Sequence, residues 1–247
     1  MQYGFMFDET RCIDCRACSI ACRDWNDIPA GPVKWLRRFT WETGVFPNVG
    51  LRFLFAPCFH CDIPLCLEAC PNNAIYKEDK YGAVLVDSNL CQGAHACWDA
   101  CPYGVPAFAD NAPGSKMSKC TMCIDRLEQN EMPVCVLSCP TRALDFGPID
   151  ELRAKYGQIA QIEGMPDPSE TKPSVVFKPK QPRHEFPLPY DANKALSLFA
   201  QRDPQPPVYT DLKKLIEPLP GMCKKNHLEM KLASPEEAFE FTKNDEG

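Results

Sequence analysis

The sequence lacks the motifs of most common enzyme classes. It has no phosphate-binding Walker A loop, no G-x-G-x-x-G fingerprint after a strand, no G-x-S-x-G and no H-E-x-x-H. Its four histidines include no pair at metal-ligand spacing. We therefore expect no hydrolytic metal site and no nicotinamide or flavin site, so that any substrate chemistry belongs to another chain.

Long apolar runs and a basic surface field are also absent. No stretch approaches the roughly 20 apolar residues that span a bilayer, and the formal net charge is −6. The first residues, MQYGFMFDETRC, lack the basic start and apolar core of a signal peptide. We expect a chain that is soluble as written, has no nucleic-acid partner and reaches a membrane only through another subunit.

Cysteine, by contrast, is abundant. Of 16 cysteines, 15 fall into four tight clusters, and only Cys223 stands apart. Disulfides that staple a fold connect distant loops, whereas neighbouring thiols in C-x-x-C-x-x-C cannot do so usefully. The spacing is typical of metal ligands, and Cys223 is expected to be a free thiol.

The clusters form an internal repeat. A shift of 79 positions carries the first cluster onto the third, and each follows a short strand-like run, YGFMFD or GAVLVD. The shift places Asp8 on Asp87, Cys12 on Cys91, Cys15 on Ala94, Cys18 on Cys97 and Cys22 on Cys101. This repeat indicates that one half of the chain arose by duplication of the other.

The second and fourth clusters match each other in the same way. The members of the second are Cys58, Cys61, Cys66 and Cys70, followed by Pro71; those of the fourth are Cys120, Cys123, Cys135 and Cys139, followed by Pro140. The fourth has seven extra residues between its second and third cysteines, which predict a short helix that ends before Pro133.

Iron–sulfur ligation explains these spacings best. In two-cluster ferredoxins, C-x₂-C-x₂-C-x₃-C-P supplies three ligands to one cluster and the last cysteine to the other. Zinc is the alternative, since the fourth cluster resembles a structural zinc site when taken by itself. The first cluster fits zinc poorly, because three thiols on one short loop crowd a tetrahedral ion. A zinc-scaffolded interaction protein is the corresponding alternative function.

The chain resembles the iron–sulfur electron-transfer subunits of the dimethyl sulfoxide reductase (molybdopterin oxidoreductase) family. The resemblance covers about residues 1–157 and includes CPNNAI, CPYGVPAF, KCTMCIDR and CPTRALDFGPIDELRAKYG. It implies an α+β fold of two nested, duplicated ferredoxin-like units. The first unit would comprise residues 1–30 and 111–157 and the second 51–110, with an insertion at 31–50. Composition predicts an extended proline-rich C-terminal tail at 158–247, since the last hundred residues hold 14 of the 25 prolines, and this tail would wrap a partner subunit or the ferredoxin body.

The resemblance also implies four ligand sets, each drawn from two cysteine clusters. The first would be Cys12, Cys15, Cys18 and Cys139, and the second Cys22, Cys120, Cys123 and Cys135. The third would be Cys58, Cys61, Cys66 and Cys101. The fourth would have only Cys70, Cys91 and Cys97, because Ala94 occupies the position where the family has cysteine.

Ala94 cannot bind iron, so the fourth cluster is expected to be 3Fe–4S beside three 4Fe–4S clusters. Two alternatives remain open: water or hydroxide as the fourth ligand, or His95, although His95 is one residue out of register.

The family relation implies particular partners. These are a molybdopterin-containing catalytic subunit, which would face the unit with Cys12 and Cys139, and a membrane-anchor quinol subunit or a cytochrome. The compartment would be the cytoplasm, or the periplasm by co-export with a signal-bearing partner. A cluster subunit of a hydrogenase or formate dehydrogenase is the alternative function.

Other segments carry weaker expectations. GPVKWLRRFTWETG predicts an exposed strand and loop, and IDELRAKYG predicts a helix that Gly157 ends. A last short helix is expected to begin at Ser234 and Pro235. Lys116, Lys119 and Arg126 are expected to be solvated or ion-paired, and His60 to pack or hydrogen-bond beside a cluster.

Overall fold

The computed structural model describes residues 1–44, 49–181 and 227–235, together with positions 191, 194, 197 and 237. Within these residues the strands are β1 (Tyr3–Asp8), β2 (Arg37–Thr43), β3 (Gly50–Ala56), β4 (Ile75–Lys77), β5 (Val84–Val86), β6 (Leu144–Pro148) and β7 (Val175–Lys178). The helices are α1 (Ala17–Trp25), α2 (Leu65–Glu68), α3 (Ala96–Ala100), α4 (Ile124–Leu127), α5 (Val134–Leu137) and α6 (Ile149–Tyr156). None of these helices has the length and apolar character needed to cross a bilayer.

A three-stranded sheet in the order β6-β1-β7 forms the centre of the fold. β1, the strand predicted from YGFMFD, pairs antiparallel with β6 and parallel with β7. In β7, Val175, Val176 and Phe177 are almost fully buried. Part of the chain after residue 157 is thus a strand of the ferredoxin-like body, because these apolar residues complete the central sheet.

The hairpin β2–β3 corrects one expectation. Residues 31–44 are not an exposed insertion, since Leu36 and Trp41 are each only 5% exposed and pack into the main core. β2 pairs with β3 along its whole length, from Arg37 opposite Ala56 to Thr43 opposite Gly50. The hairpin thus crosses the boundary expected near residue 50.

The small hairpin β4–β5 repeats the pairing of β6 with β1. Both pairs are antiparallel. The Asp8 amide donates to the Ala143 carbonyl at 2.8 Å, and the Asp87 amide donates to the Ala74 carbonyl at the same distance. The strand before the first cysteine loop is therefore tied to the residues after the fourth cluster, and the strand before the third loop to those after the second.

The cysteine loops also repeat in their backbone angles. Positive φ occurs at Asp14 and Arg16 in the first loop and at Gly93 and His95 in the third, which are the positions related by the 79-residue shift. Helices α1 and α3 begin directly after Arg16 and His95. In the second and fourth clusters, α2 and α5 each follow a proline, Pro64 or Pro133, which favours a helix start.

An aromatic core joins the sheet to the hairpin and the loops. The Phe5 ring lies 5.1 Å from that of Phe146 and 5.8 Å from that of Phe55, and the Phe59 ring lies 5.0 Å from that of Tyr103. These separations are in the range for edge or tilted aromatic packing. The packing fixes the strands from which the cysteine loops project.

Two helical predictions are confirmed, and a third is confirmed at its start. The residues after Cys123 form α4 before Pro133, and α6 ends at Gly157, whose φ is +104°. At the last predicted helix, Ser234 Oγ accepts a hydrogen bond from the Glu237 amide at 3.2 Å, as an N-cap does. Cys223 lies outside the described residues.

Candidate metal centres

The first cysteine loop is held between β1 and α1. The Cys12 amide donates to the Asp8 carbonyl at 3.3 Å, which sets the start of the loop. Positive φ at Asp14 (53°) and Arg16 (65°) coils the chain back on itself between the cysteines. The Asp14 carboxylate also pairs with Arg38 of β2 and so fixes the loop to the hairpin.

The first predicted ligand set converges on one cavity. Its lining includes Cys12, Cys15, Cys18 and Cys139. Burial raises the pKa of Cys18 to about 12; the charge of Arg38 opposes this rise, and those of Cys12 and Cys139 add to it. Residues more than 120 positions apart are thus brought into one site, because β1 and β6 pair.

The second predicted set lies deeper. Burial raises the pKa of both Cys120 and Cys135 well above the ordinary value, and the charges of Cys22 and Cys123 add to both. Cys22 lies one turn after Cys18 on α1, and its Sγ is 3.8 Å from Asn26 Nδ2. The four thiols of this set are therefore neighbours.

The third predicted set joins the second cysteine cluster to the end of α3. Burial raises the pKa of Cys61, and the charges of Cys58, Cys101 and Cys66 add to the rise. Burial likewise raises the pKa of Cys66 to about 12, with further contributions from Cys58 and Cys101. The four predicted ligands of the third set therefore lie close to one another.

The fourth site has three thiols and one alanine. Its cavity is lined by Cys70, Cys91 and Cys97, with Ala94 and His95 beside them. Burial raises the pKa of Cys97 to about 12, and the charges of Cys91 and Cys70 add to it. The structure thus places Ala94 at the edge of the site where the repeat predicts a fourth thiol.

Consecutive sets adjoin one another, and the four sets in this order are called the row. In three pairs the charge of a thiol in one set adds to the pKa that burial raises in a thiol of the neighbouring set: Cys18 acts on Cys22, Cys58 on Cys120, and Cys97 on Cys66. These pairs link the first set to the second, the second to the third and the third to the fourth.

Backbone amides point at several of the sulfurs. Amide nitrogens lie 3.3–3.5 Å from Sγ in five cases: His60 to Cys58, Ala74 to Cys70, Met117 to Cys91, Met122 to Cys120, and Ala143 to Cys139. Such hydrogen bonds favour the thiolate form, which is the form that binds metal. They also raise the reduction potential of a bound cluster.

Two buried histidines support a cluster as the group that the cysteines hold. The described cysteines form no disulfide. The Nε2 atoms of His60 and His95 are buried and find no hydrogen-bond partner within the part of the chain that the structure describes. Both residues lie in cysteine loops, where cluster sulfides would satisfy such donors.

Two cations near the sites were not predicted correctly. Lys119 is 2% exposed and contacts Cys58, so it is not solvated, and no carboxylate of the described residues pairs with it. Arg37 was not singled out at all, yet its guanidinium donates to the carbonyls of Met230 and Tyr103. A single basic residue carries no periodic signal from which its burial can be predicted. For Arg126 the expectation is confirmed, since it pairs with Glu131 at 2.8 Å.

Comparison with known proteins agrees with this geometry. The family described as "4Fe-4S dicluster domain" matches residues 49–149. The B subunit of anaerobic dimethyl sulfoxide reductase from Escherichia coli K12 is 42% identical over 187 residues, which cover 72% of this chain and 89% of the relative. Its Haemophilus influenzae counterpart is 38% identical, with 73% and 90% covered. Protein NrfC of E. coli K12 is 37% identical, with 64% and 71% covered.

The ferredoxin-like fold and its cysteine sites define an iron–sulfur electron-transfer protein. The chain belongs to the family of the anaerobic dimethyl sulfoxide reductase B subunit and functions as an electron-transfer subunit. The relatives favour neither a hydrogenase or formate dehydrogenase subunit nor a zinc-scaffolded protein.

Proposed function

We propose that the chain carries electrons through four iron–sulfur clusters, between a molybdopterin-containing catalytic subunit and a membrane-anchor quinol subunit or a cytochrome. The observation that carries this proposal is the row of four cysteine sets, each of which adjoins the next. The proposed ligands are the four sets predicted from the sequence.

The proposed architecture is two nested ferredoxin-like units. Residues 1–30 with 111–157 form one unit and 51–110 the other, while 158–247 form a tail. The matched hydrogen bonds of Asp8 to Ala143 and Asp87 to Ala74 support this nesting. The hairpin β2–β3 joins the units across residue 50. We propose no separate hydrophobic core for the tail.

The protein's own task is to hold and shield the clusters, which supply one-electron transfer when bound. The cysteines bind as thiolates, which the five amide–sulfur hydrogen bonds favour. Burial of Cys120, Cys135 and Cys101 keeps water away from the middle of the row. Rigid, dry sites reduce the reorganisation that accompanies each electron transfer.

The proposed cofactors are three 4Fe–4S clusters and one 3Fe–4S cluster at Cys70, Cys91 and Cys97. Ala94 supports the three-iron assignment because it supplies no ligand on the side of the site that the repeat gives to a thiol. His95 beside it is the protein group that could replace the missing thiol. Its ring packs on Phe108 with centroids 3.9 Å apart, which holds its position.

The two ends of the row are the proposed docking sites. At the first site Ile13 and Leu137 are 63% and 51% exposed, and Cys15 is exposed as well. At the fourth site Leu90, which precedes a ligand cysteine, is 50% exposed. We propose that the catalytic subunit covers the first end and the quinol or cytochrome partner the fourth. The complex is then cytoplasmic, or periplasmic by co-export with a signal-bearing partner.

Metal analysis of the purified complex tests this proposal. With its partner and under anaerobic conditions, the chain should contain about 15 irons, as three four-iron clusters and one three-iron cluster require. Its broad visible absorbance should bleach with dithionite. A folded, colourless protein loaded with zinc would contradict the proposal.

A further inference from the structure

Lys119 lies between the second and third cysteine sets. Its side chain is 2% exposed, and its Nζ is 3.6 Å from Cys58 Sγ and 3.3 Å from the Cys120 carbonyl, with a further contact to the Val84 carbonyl. Cys58 and Cys120 belong to different sets. The ammonium is therefore situated where the middle two sites of the row adjoin.

The backbone holds Lys119 in place. The residue before it, Ser118, exchanges two hydrogen bonds with Ala107, at 2.8 and 2.9 Å. Ser118 Oγ also accepts a hydrogen bond from Trp35 Nε1 at 3.0 Å. The lysine therefore enters the interior from a fixed bridge and not from a loose loop.

The repeat shows that the loop does not need a cation at this position. Cys58 and Cys120 are equivalent cysteines, and the residue before each is Pro57 and Lys119, respectively. Both loops bend at the same point, with φ of +42° at His60 and +61° at Met122. Because the same bend forms with proline or lysine, the charge of Lys119 is not required by the local backbone.

No carboxylate in the described part of the chain pairs with Lys119. Its acceptors are two carbonyl oxygens and one sulfur. A buried charge needs a counter-charge, and the nearest negative groups are the thiolates of the third set. The charge of Lys119 acts on that set, since it opposes the burial that raises the pKa of Cys66. It also adds to the effect of burial in keeping the pKa of His60 low.

We propose that the Lys119 ammonium is, together with Arg37, an internal counter-charge of the cluster held by Cys58, Cys61, Cys66 and Cys101, and that it raises the reduction potential of that cluster. The inference rests on the proposed function, because it needs those ligands to hold a cluster. The reduced cluster carries one more negative charge than the oxidised cluster. A fixed cation nearby therefore stabilises the reduced form more than the oxidised form.

The test is an EPR-monitored redox titration of the purified complex with its partner. Lys119→Met removes the charge at similar side-chain volume, and Lys119→Arg keeps it. The third cluster is identified by the signal that changes in Cys61→Ser. We expect Lys119→Met to lower the reduced-to-oxidised ratio of that cluster at least tenfold at a fixed ambient potential, about 59 mV for a one-electron couple. Lys119→Arg should stay near the wild-type value.

Lys116→Met is the matched control. Lys116 is three residues away and exposed, so its loss should leave every midpoint potential within the error of the titration. A Lys119→Met complex with full iron and an unchanged third potential would overturn the proposal. If Lys119→Met loses the third cluster while Lys119→Arg keeps it, the site needs the charge, and the proposal stands. If both variants lose it, side-chain shape is what matters, and the proposal fails.

These outcomes are separate from those of the proposed function. The iron content of the wild-type complex tests whether the four clusters exist, and the Lys119 series tests only what sets the potential of one of them.

Discussion

The first and third cysteine loops have the same backbone but different chemistry. Both begin with an amide that donates to an aspartate carbonyl, Cys12 to Asp8 at 3.3 Å and Cys91 to Asp87 at 3.2 Å. Both turn through two residues of positive φ and then enter a helix. Yet the first loop has Cys15 where the third has Ala94.

This comparison separates what the fold requires from what the cofactor requires. The turn depends on backbone angles, which Asp14 and Gly93 both provide although their side chains differ. The side chain at position 94 has no sulfur, and the turn is intact all the same. A duplicated loop can therefore lose a thiol without changing its shape.

Cys15→Ala would make the first loop resemble the third, and it has the largest expected effect. Without its fourth thiol, the first site should hold one iron fewer, so that this chain contains about 14 irons. A second three-iron signal should appear in the oxidised EPR spectrum. Cys223→Ala is the control and should leave the iron content unchanged; full iron in Cys15→Ala would break the comparison.

Ala94→Cys is the reverse change. It restores the thiol that the repeat predicts, so we expect about 16 irons and loss of the three-iron signal. Ala94→Ser introduces a side chain of nearly the size of cysteine that binds iron less well than cysteine does, so this variant should keep the three-iron signal. If Ala94→Cys also keeps it, the backbone of the third loop does not present position 94 to the cluster.

Gly93→Asp tests whether the two turns are interchangeable. Asp14 is accommodated in the first loop, but a Cβ on Gly93 would lie 2.5 Å from the Ser115 carbonyl oxygen. Because φ of Gly93 is +69°, we expect Gly93→Asp to lower the free energy of unfolding by at least about 2 kcal/mol. The cluster absorbance should then disappear at a lower temperature on heating. Asp14→Gly should lower the free energy of unfolding less, by about 1 kcal/mol, because it removes the ion pair with Arg38. Equal costs would contradict this asymmetry.

The aspartates before the two loops differ in how fully they are bonded. Asp8 is 3% exposed, and its carboxylate accepts from Lys178 Nζ at 2.9 Å and from the Thr10 amide at 2.9 Å, whereas the Asp87 carboxylate accepts from the Asn89 amide at 2.8 Å. We expect Asp8→Asn to lower the free energy of unfolding by about 2 kcal/mol and Asp87→Asn to lower it by about 1 kcal/mol. Chemical denaturation of the loaded complex checks both, and a larger loss at Asp87 would contradict the difference.

The same pair has a pH dependence. Burial acts to raise the pKa of Asp8, but hydrogen bonds from Thr10 and Lys178 outweigh it and hold the pKa below 3.8. A carboxyl with a lowered folded-state pKa stabilises the fold above its unfolded pKa. That contribution is lost as the pH falls through the folded value. Below about pH 4 the advantage of wild type over Asp8→Asn should therefore shrink; a constant gap from pH 7 to pH 3 would contradict this.

Much of the fold and of the sites could be predicted because it depends on local spacing. The strand before Cys12 and the helix that ends at Gly157 follow from alternation and from glycine at a helix end. Their positions agree with the structure. The cysteine spacings, read through the family resemblance, predicted four sets whose members the structure brings together.

The features that could not be predicted from the sequence depend on contacts between distant residues. Whether Trp41 is buried is decided by the sheet that the hairpin packs on, and whether Val175 forms a strand is decided by β1, 170 residues earlier. The position of Lys119 depends on the bridge between Ser118 and Ala107. None of these contacts leaves a periodic pattern in the sequence around the residue.

Low-temperature EPR of the complex as isolated tests the central claim most directly. If the third loop keeps the turn but lacks the ligand, the oxidised protein should show a near-isotropic three-iron signal that disappears on mild reduction, with about 15 irons per chain. Absence of that signal together with about 16 irons would mean that His95 or water holds a fourth iron, and the claim would be wrong.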